Sequence, residues 1–196
     1  MAPPETTWTQ MIQRHRVTIA RVILLLLAIY IFGFERQPVQ ALSSAMGLIG
    51  IVLITLGVII RSVSAGNLHK NDVLATSGIY AIVRNPLYFG SLMMLMGVNF
   101  IIFHPVVVIV SAVLFVLTYW PTIRNEESGL KQRYGTEWTD YRNSTPRLLP
   151  NVFKIAHLKT ATWSARQWYR NHEHNTVIAA LALLILLHVY NLYWAL

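Results

Sequence analysis

Five runs of apolar residues, bounded by polar or turn-forming ones, organise the chain: Val17 to Phe34, Ala41 to Ile60, Leu87 to Phe103, Val106 to Trp120 and Thr176 to Leu196. Their lengths, 18, 20, 17, 15 and 21 residues, bracket the roughly 20 residues with which a helix crosses a hydrocarbon core of about 30 Å. The pattern predicts an all-α integral membrane protein with five transmembrane helices. Only His104 and Pro105 separate the third run from the fourth. So short a connection predicts a tight hairpin between helices 3 and 4. The first run is long and no small-residue cleavage site follows it, so it is expected to stay as an anchor.

Composition agrees with this pattern. Of 196 residues, 55% are hydrophobic and only 12% charged, which excludes a large separate soluble domain. There is no cysteine, so disulfides, thiolate metal sites, cysteine nucleophiles and lipidated cysteines are excluded together. Three units are expected: a helix pair over 1–60, a core with the polar chemistry over 61–150, and a C-terminal part over 151–196. Lys and Arg number 16 against 8 Asp and Glu. If the N-terminus is cytoplasmic, Arg36 alone among these cations falls on the outer side. That asymmetry is the positive-inside pattern, and it accounts for the basic excess without a nucleic-acid partner. The N-terminus and the polar stretches, with any active site they hold, are therefore expected on the cytoplasmic side.

Within the second run, Ser43, Gly47, Gly50, Ile54 and Gly57 alternate at four and three residues, a mostly small stripe that lets another helix approach closely. In the third, Met93, Met94 and Met96 flank Gly90 and Gly97. Methionines suit either ordinary helix packing or a surface that adapts to a flexible lipid tail, and Met94 is a candidate contact for the latter. Two polar stretches remain, Arg61 to Pro86 and Pro121 to Asn175. They carry Arg84, Tyr80, Tyr88, Glu126, Tyr134 and Tyr141. Aromatic faces, carboxylates and a fixed guanidinium suit a ligand that combines a ring, a sulfonium or ammonium, and a carboxylate. S-adenosyl-L-methionine has all of these groups.

The run "LATSGIYAIVRNPLYFG", followed some forty residues on by "EESGLKQRYGTEWTDY" and "TPRLLP", resembles the isoprenylcysteine carboxyl methyltransferase family and its bacterial phospholipid-methyltransferase-like relatives. The resemblance covers roughly Lys70 to Pro150. It implies a membrane-embedded methyltransferase that takes S-adenosyl-L-methionine from the cytosol and an amphiphilic methyl acceptor from among or beside the membrane lipids. By the same resemblance a first cofactor strip falls on Asp72, Val73, Leu74 and Ala75 with Tyr80, and a second on Arg84, Asn85, Pro86, Leu87 and Tyr88. Acidic contacts fall on Glu126 and Glu127. Two departures stand out. Asn85 replaces a histidine common in the motif and still offers a donor and an acceptor. Thr122 stands where carboxyl methyltransferases place an arginine for the acceptor's carboxylate, so Arg124 is the nearest cation. Two residues along a helix rotate a side chain by about 200°, which turns Arg124 away and favours a lipid amine over a prenylcysteine-like carboxylate.

The histidines, including His172 and His174 around Glu173, show no metal-ligand spacing, and no metal is expected. Beyond Asn151, Ile155, Leu158, Thr162, Ala165 and Tyr169 share a helical stripe among Lys154, Lys159, Arg166 and Arg170, which predicts an amphipathic interfacial helix on an anionic leaflet. The rival to an enzyme is a non-catalytic lipid-binding membrane scaffold of the same fold.

Overall fold

The computed structural model describes residues 19, 22–35, 39–40, 42–68, 73–160 and 162–195. Among them there is no strand. In order the helices are α1 (Val22–Gly33), α2 (Ala45–Asn67), α3 (Pro86–Ile102), α4 (Pro105–Ser144), α5 (Ala165–Arg170) and α6 (Glu173–Ala195), with 3-10 turns at Gly78–Ala81 and Val152–Thr160. By length and composition α2, α4 and residues Glu173–Tyr193 of α6 can each cross a membrane, while α1 and α3 are shorter apolar helices. Their exposed faces are apolar, as with Leu25, Ile109, Leu117 and Ile185, all more than half exposed. That suits a lipid solvent.

The glycine stripe of α2 forms a seam with α3. A Cβ built on Gly57 would lie 2.5 Å from the Gly90 carbonyl oxygen, and one on Gly50 would lie 2.7 Å from that of Gly97. In the reverse direction, Gly97 and Gly90 face the Gly50 and Gly57 carbonyls at 2.5 and 2.7 Å. Backbone thus meets backbone at two levels seven residues apart. Ser43 stands before the helix and is exposed, outside the seam, whose close contacts begin at Gly50. Ser44 caps α2 by accepting from the Gly47 N–H at 3.1 Å. Ile54, Ile101, Ala180 and Leu187 close a core shared by α2, α3 and α6.

α2 continues to Asn67, seven residues beyond the apolar run that ended at Ile60. Its last carbonyls, which a helix end leaves without partners, are taken by the C-terminal part of the chain. Asn171 Nδ2 donates to the Ala65 and Leu68 oxygens at 2.8 and 3.0 Å. Ser164 N–H donates to Gly66 O at 3.1 Å, and Trp163 Nε1 to Ser62 O at 3.0 Å.

Pro86 and Pro105 each occupy the first turn of their helix, where the missing N–H costs nothing. Between α3 and α4 lie only Phe103, in the left-handed region at φ 49°, and His104. Asn99 Nδ2 donates to Ser111 Oγ at 3.1 Å across this connection. α4 then runs for 40 residues through Pro121 and kinks at Gly135, where φ is 52°. Two helical pieces meet there: the one from Pro105 ends at the glycine, and a second continues beyond it. Beyond the kink Trp138 and Tyr141 fold into a cluster with Leu74, Leu130 and Tyr134, and this burial holds the second piece, which runs to Ser144.

The expected amphipathic helix after Asn151 is replaced by two pieces. Residues 152–160 form the 3-10 turn, and α5 starts only after Ser164, whose Oγ accepts from Gln167 N–H at 3.4 Å. The bonds from Trp163 and Ser164 to α2, together with Thr160 Oγ1 accepting from Gly78 N–H at 3.0 Å, hold this segment to the core and break its helical register.

Candidate active site

At one end of the helices a cavity of about 640 Å³ opens, within the roughly 300–1,000 Å³ usual for small-molecule sites. Val73, Leu74 and Ala75 line it from the loop before the first 3-10 turn, and Tyr80 from that turn. Arg84, Asn85, Pro86, Leu87 and Tyr88 line it at the start of α3, and Glu126 from α4. The residues singled out in two separate stretches of sequence thus meet around one space. Asp72 lies outside the described residues.

Tyr88 is the bridge from α3 to α4: its hydroxyl donates to Glu126 Oε1 at 2.7 Å, and its ring stands edge-on to Tyr119 at 5.2 Å. Glu126 itself is exposed. Glu127, one residue on, points elsewhere. It does not line the cavity but is buried behind its wall, as expected when adjacent helical residues differ by about 100°. Its carboxylate accepts from Arg147 Nε at 3.1 Å and Nη2 at 2.7 Å. It also accepts from Asn85 Nδ2 at 3.2 Å and pairs with Arg84 Nη1 at 3.4 Å. Asn85 Nδ2 donates as well to Arg147 O at 3.0 Å, so the residue that replaces the motif's histidine ties α3 to the strap after α4. Arg147 rests over the Trp120 ring at 5.1 Å.

Arg84 lies over Trp138 at 5.7 Å with a side chain only 8% exposed, and its Nε and Nη1 have no hydrogen-bond partner. Burial pushes this guanidinium below its ordinary value, and the Glu127 carboxylate opposes that shift. Nε and Nη1 are closed off from solvent and Nη1 faces Glu127, so the buried guanidinium braces the cavity wall. Two phenols complete this side. Tyr141 O–H donates to Tyr80 O at 2.8 Å, and Tyr80 O–H to Ser64 O at 3.3 Å. Burial raises both hydroxyls well above the usual tyrosine range, Tyr80 further through Tyr141, and Tyr141 further through Glu127 against the lowering effect of Arg84. Both stay neutral donors.

Neither candidate acceptor contact lines this cavity. Arg124 is exposed on α4, on the face its two-residue offset implies. Met94 packs between the helices, against Gly57 and the core around Ile54 and Ile101. The reason is geometric: the glycine seam brings α3 so close to α2 that Met94 fills the space beside it.

The cavity also has walls that the motif did not indicate. Arg61 and Ala65 from α2, and Asn171 and Glu173 from the far end of the chain, line it too. Glu173 is 2% exposed and pairs with Arg61 at 2.8 Å. The available signal was an isolated arginine at the end of a glycine-striped apolar helix and an isolated glutamate just before the last apolar run, since such charges near a bilayer seek each other. His174 stacks on Tyr169 at 4.5 Å. Among the described residues no group of three or more His, Asp or Glu is placed to hold a metal ion.

Residues 46–137 match the phospholipid methyltransferase family model. The cobalt-zinc-cadmium resistance protein CzcN of Cupriavidus metallidurans is 30% identical over 162 residues, 81% of this chain and 74% of that protein. Protein-S-isoprenylcysteine O-methyltransferase B of Arabidopsis thaliana is 30% identical over 119 residues, 53% of this chain and 58% of that protein. The protein-S-isoprenylcysteine O-methyltransferase of Rattus norvegicus is 30% identical over 138 residues, 62% of this chain and 46% of that protein. The chain thus spans about half the length of these two methyltransferases. No solved structure matches it.

Proposed function

We propose, because this chain belongs to the isoprenylcysteine carboxyl methyltransferase family with its phospholipid-methyltransferase-like relatives, that it is a membrane-embedded methyltransferase using S-adenosylmethionine. Its acceptor is an amphiphile drawn from the membrane, a lipid amine or a prenylcysteine-like carboxylate. The observation that carries this reading is the convergence of Val73 to Ala75, Tyr80, Arg84 to Tyr88 and Glu126 on one cavity at the end of apolar helices. The donor set suits the cofactor. Arg84, which lines the cavity beside Glu127, would meet its carboxylate. Glu126 would meet a positive centre, and the apolar and aromatic lining near Leu74 and Tyr134 would take the ring. Asp72 would belong to the same strip.

Bound there, the cofactor supplies a methyl group activated by positive charge on sulfur. An acceptor held beside it would offer its lone pair to that methyl group and, if an amine, would release a proton to water. For such a transfer the chain supplies orientation and a partly dry site. Tyr88 fixes the direction of Glu126, and the Glu127 cluster fixes Arg84. The same reading has all five apolar helices in the bilayer, with α3 and α4 as a hairpin and the cavity on the cytoplasmic side, supported by the distribution of Lys and Arg.

Calorimetric titration of S-adenosylmethionine into the purified protein tests the reading. Glu126→Gln removes the charge that would face the sulfonium, a contact worth about 1.5–3 kcal/mol, and binding should weaken roughly tenfold or more, while Tyr88→Phe, which only unties Glu126, should weaken it less. Absence of binding by the unaltered protein at millimolar concentration overturns it.

A further inference from the structure

The inner end of the cavity, the part of its wall built by Arg61, Ala65, Asn171 and Glu173, lies outside the cofactor motif, and its charges are already paired. A guanidinium has five N–H donors, and Arg61 makes five hydrogen bonds. Nε donates to Glu173 Oε1 at 2.8 Å, and Nη2 to Glu173 Oε2 at 2.9 Å and Thr176 Oγ1 at 3.2 Å. Nη1 donates to Ser91 Oγ at 2.7 Å and Leu87 O at 3.3 Å. Arg61 therefore has no donor to spare for a ligand, and its charge is cancelled by a carboxylate that is itself 2% exposed.

The other cations lining the cavity bring no replacement. Arg84 is held against Trp138 and Glu127, inside the motif assigned to the cofactor. Arg133, on α4, is exposed and already engaged. Glu126 adds negative charge. A carboxylate carried to the inner end would lose its water and meet no free cation, an arrangement strongly disfavoured in a buried site.

We infer that Glu173, by holding Arg61, is a specificity-determining residue. It closes the acceptor end of the cavity to anionic head groups and leaves it to an acceptor whose reacting atom bears a lone pair but no negative charge. This rests on the methyltransferase reading above, and it gives the segment after Asn151 a direct part in the site.

The test uses the full chain in lipid nanodiscs, loaded with S-adenosylhomocysteine, and two amphiphiles that share one saturated tail, a primary amine and a carboxylate. Binding to lipid-only discs is subtracted. The unaltered protein should bind the amine at least about tenfold more tightly than the carboxylate, the scale of one bond to a charged group. Glu173→Gln keeps the shape but frees Arg61. It should narrow that ratio at least about fivefold by strengthening carboxylate binding, with nucleoside affinity unchanged within about twofold. Should Glu173→Gln fail to fold, Ser91→Ala releases one Arg61 donor, leaves the ion pair intact and should narrow the ratio in smaller measure. Equal or stronger binding of the carboxylate by the unaltered protein, binding of neither amphiphile, or a ratio that no variant moves overturns the inference. Failure to bind S-adenosylmethionine at all overturns instead the reading on which it rests.

Discussion

Glu126 and Glu127 are neighbours of the same residue type, and the structure gives them opposite consequences on removal. Glu127→Ala leaves Arg84 and Arg147 facing each other around a vacated carboxylate, with Arg84 8% exposed and Arg147 30% exposed. Removing one partner of a buried ion pair typically costs about 3–5 kcal/mol. In a chain of this size each kcal/mol moves the unfolding midpoint by about 2–4 °C, so the midpoint should fall by about 6–20 °C. Glu126→Gln disturbs one exposed contact, from Tyr88, worth about 1 kcal/mol or less, and should lower the midpoint by no more than about 4 °C. The assay is thermal unfolding in detergent followed by tryptophan fluorescence, all variants at one scan rate because irreversible unfolding makes the midpoint rate-dependent. Combining Glu127→Ala with Arg147→Ala should cost less than the sum of the two, since both changes break the same pair. A Glu127→Ala protein within about 3 °C of the unaltered one, or a Glu126→Gln protein destabilised as much, would refute the separation of roles.

Gly57→Ala and Gly90→Ala should each weaken the α2–α3 seam by about 1–3 kcal/mol, because the added methyl meets a carbonyl at 2.5 and 2.7 Å; Gly129→Ala, where nothing lies within 4 Å, is the control and should leave the midpoint unchanged or raised. For membrane orientation, a cysteine introduced at Gln37 should react with an impermeant thiol reagent from the outer side and one at Lys131 from the cytosolic side. Reversed labelling at either position would overturn the topology.

How far the sequence could be read depended on whether the responsible forces are local. The glycine seam of α2 was legible because close helix contact demands small residues at a fixed spacing, and the Phe103–His104 connection because two residues permit little else. The cavity lining was legible through a motif whose members lie close along the chain, even though α3 and α4 separate its halves. The end of α2 was not. Apolar periodicity reports contact with lipid, and residues 61–67 are helical because the C-terminal segment satisfies their carbonyls. Gly135 breaks the helical run, and the second piece beyond it is held by the burial of Trp138 and Tyr141, which no local pattern announces. The Arg61–Glu173 pair spans 112 positions, and no local pattern links its ends. The roles of Glu126 and Glu127 could be separated only once the third dimension showed which carboxylate faces the cavity.

That span of 112 positions also sets an order of events at the ribosome. Arg61 and its helix leave the translation machinery long before Glu173 is made, and until then the guanidinium can call only on Ser91 and the Leu87 carbonyl. An arginine near a bilayer without its counter-charge raises the free energy of its helix, by up to about 2.5–3.5 kcal/mol at mid-membrane and less toward the surface. The seam with α3 must hold α2 in place during that interval. α6 then neutralises it, so a nascent chain that stops short of Glu173 lacks one wall of the cavity and carries an unbalanced charge.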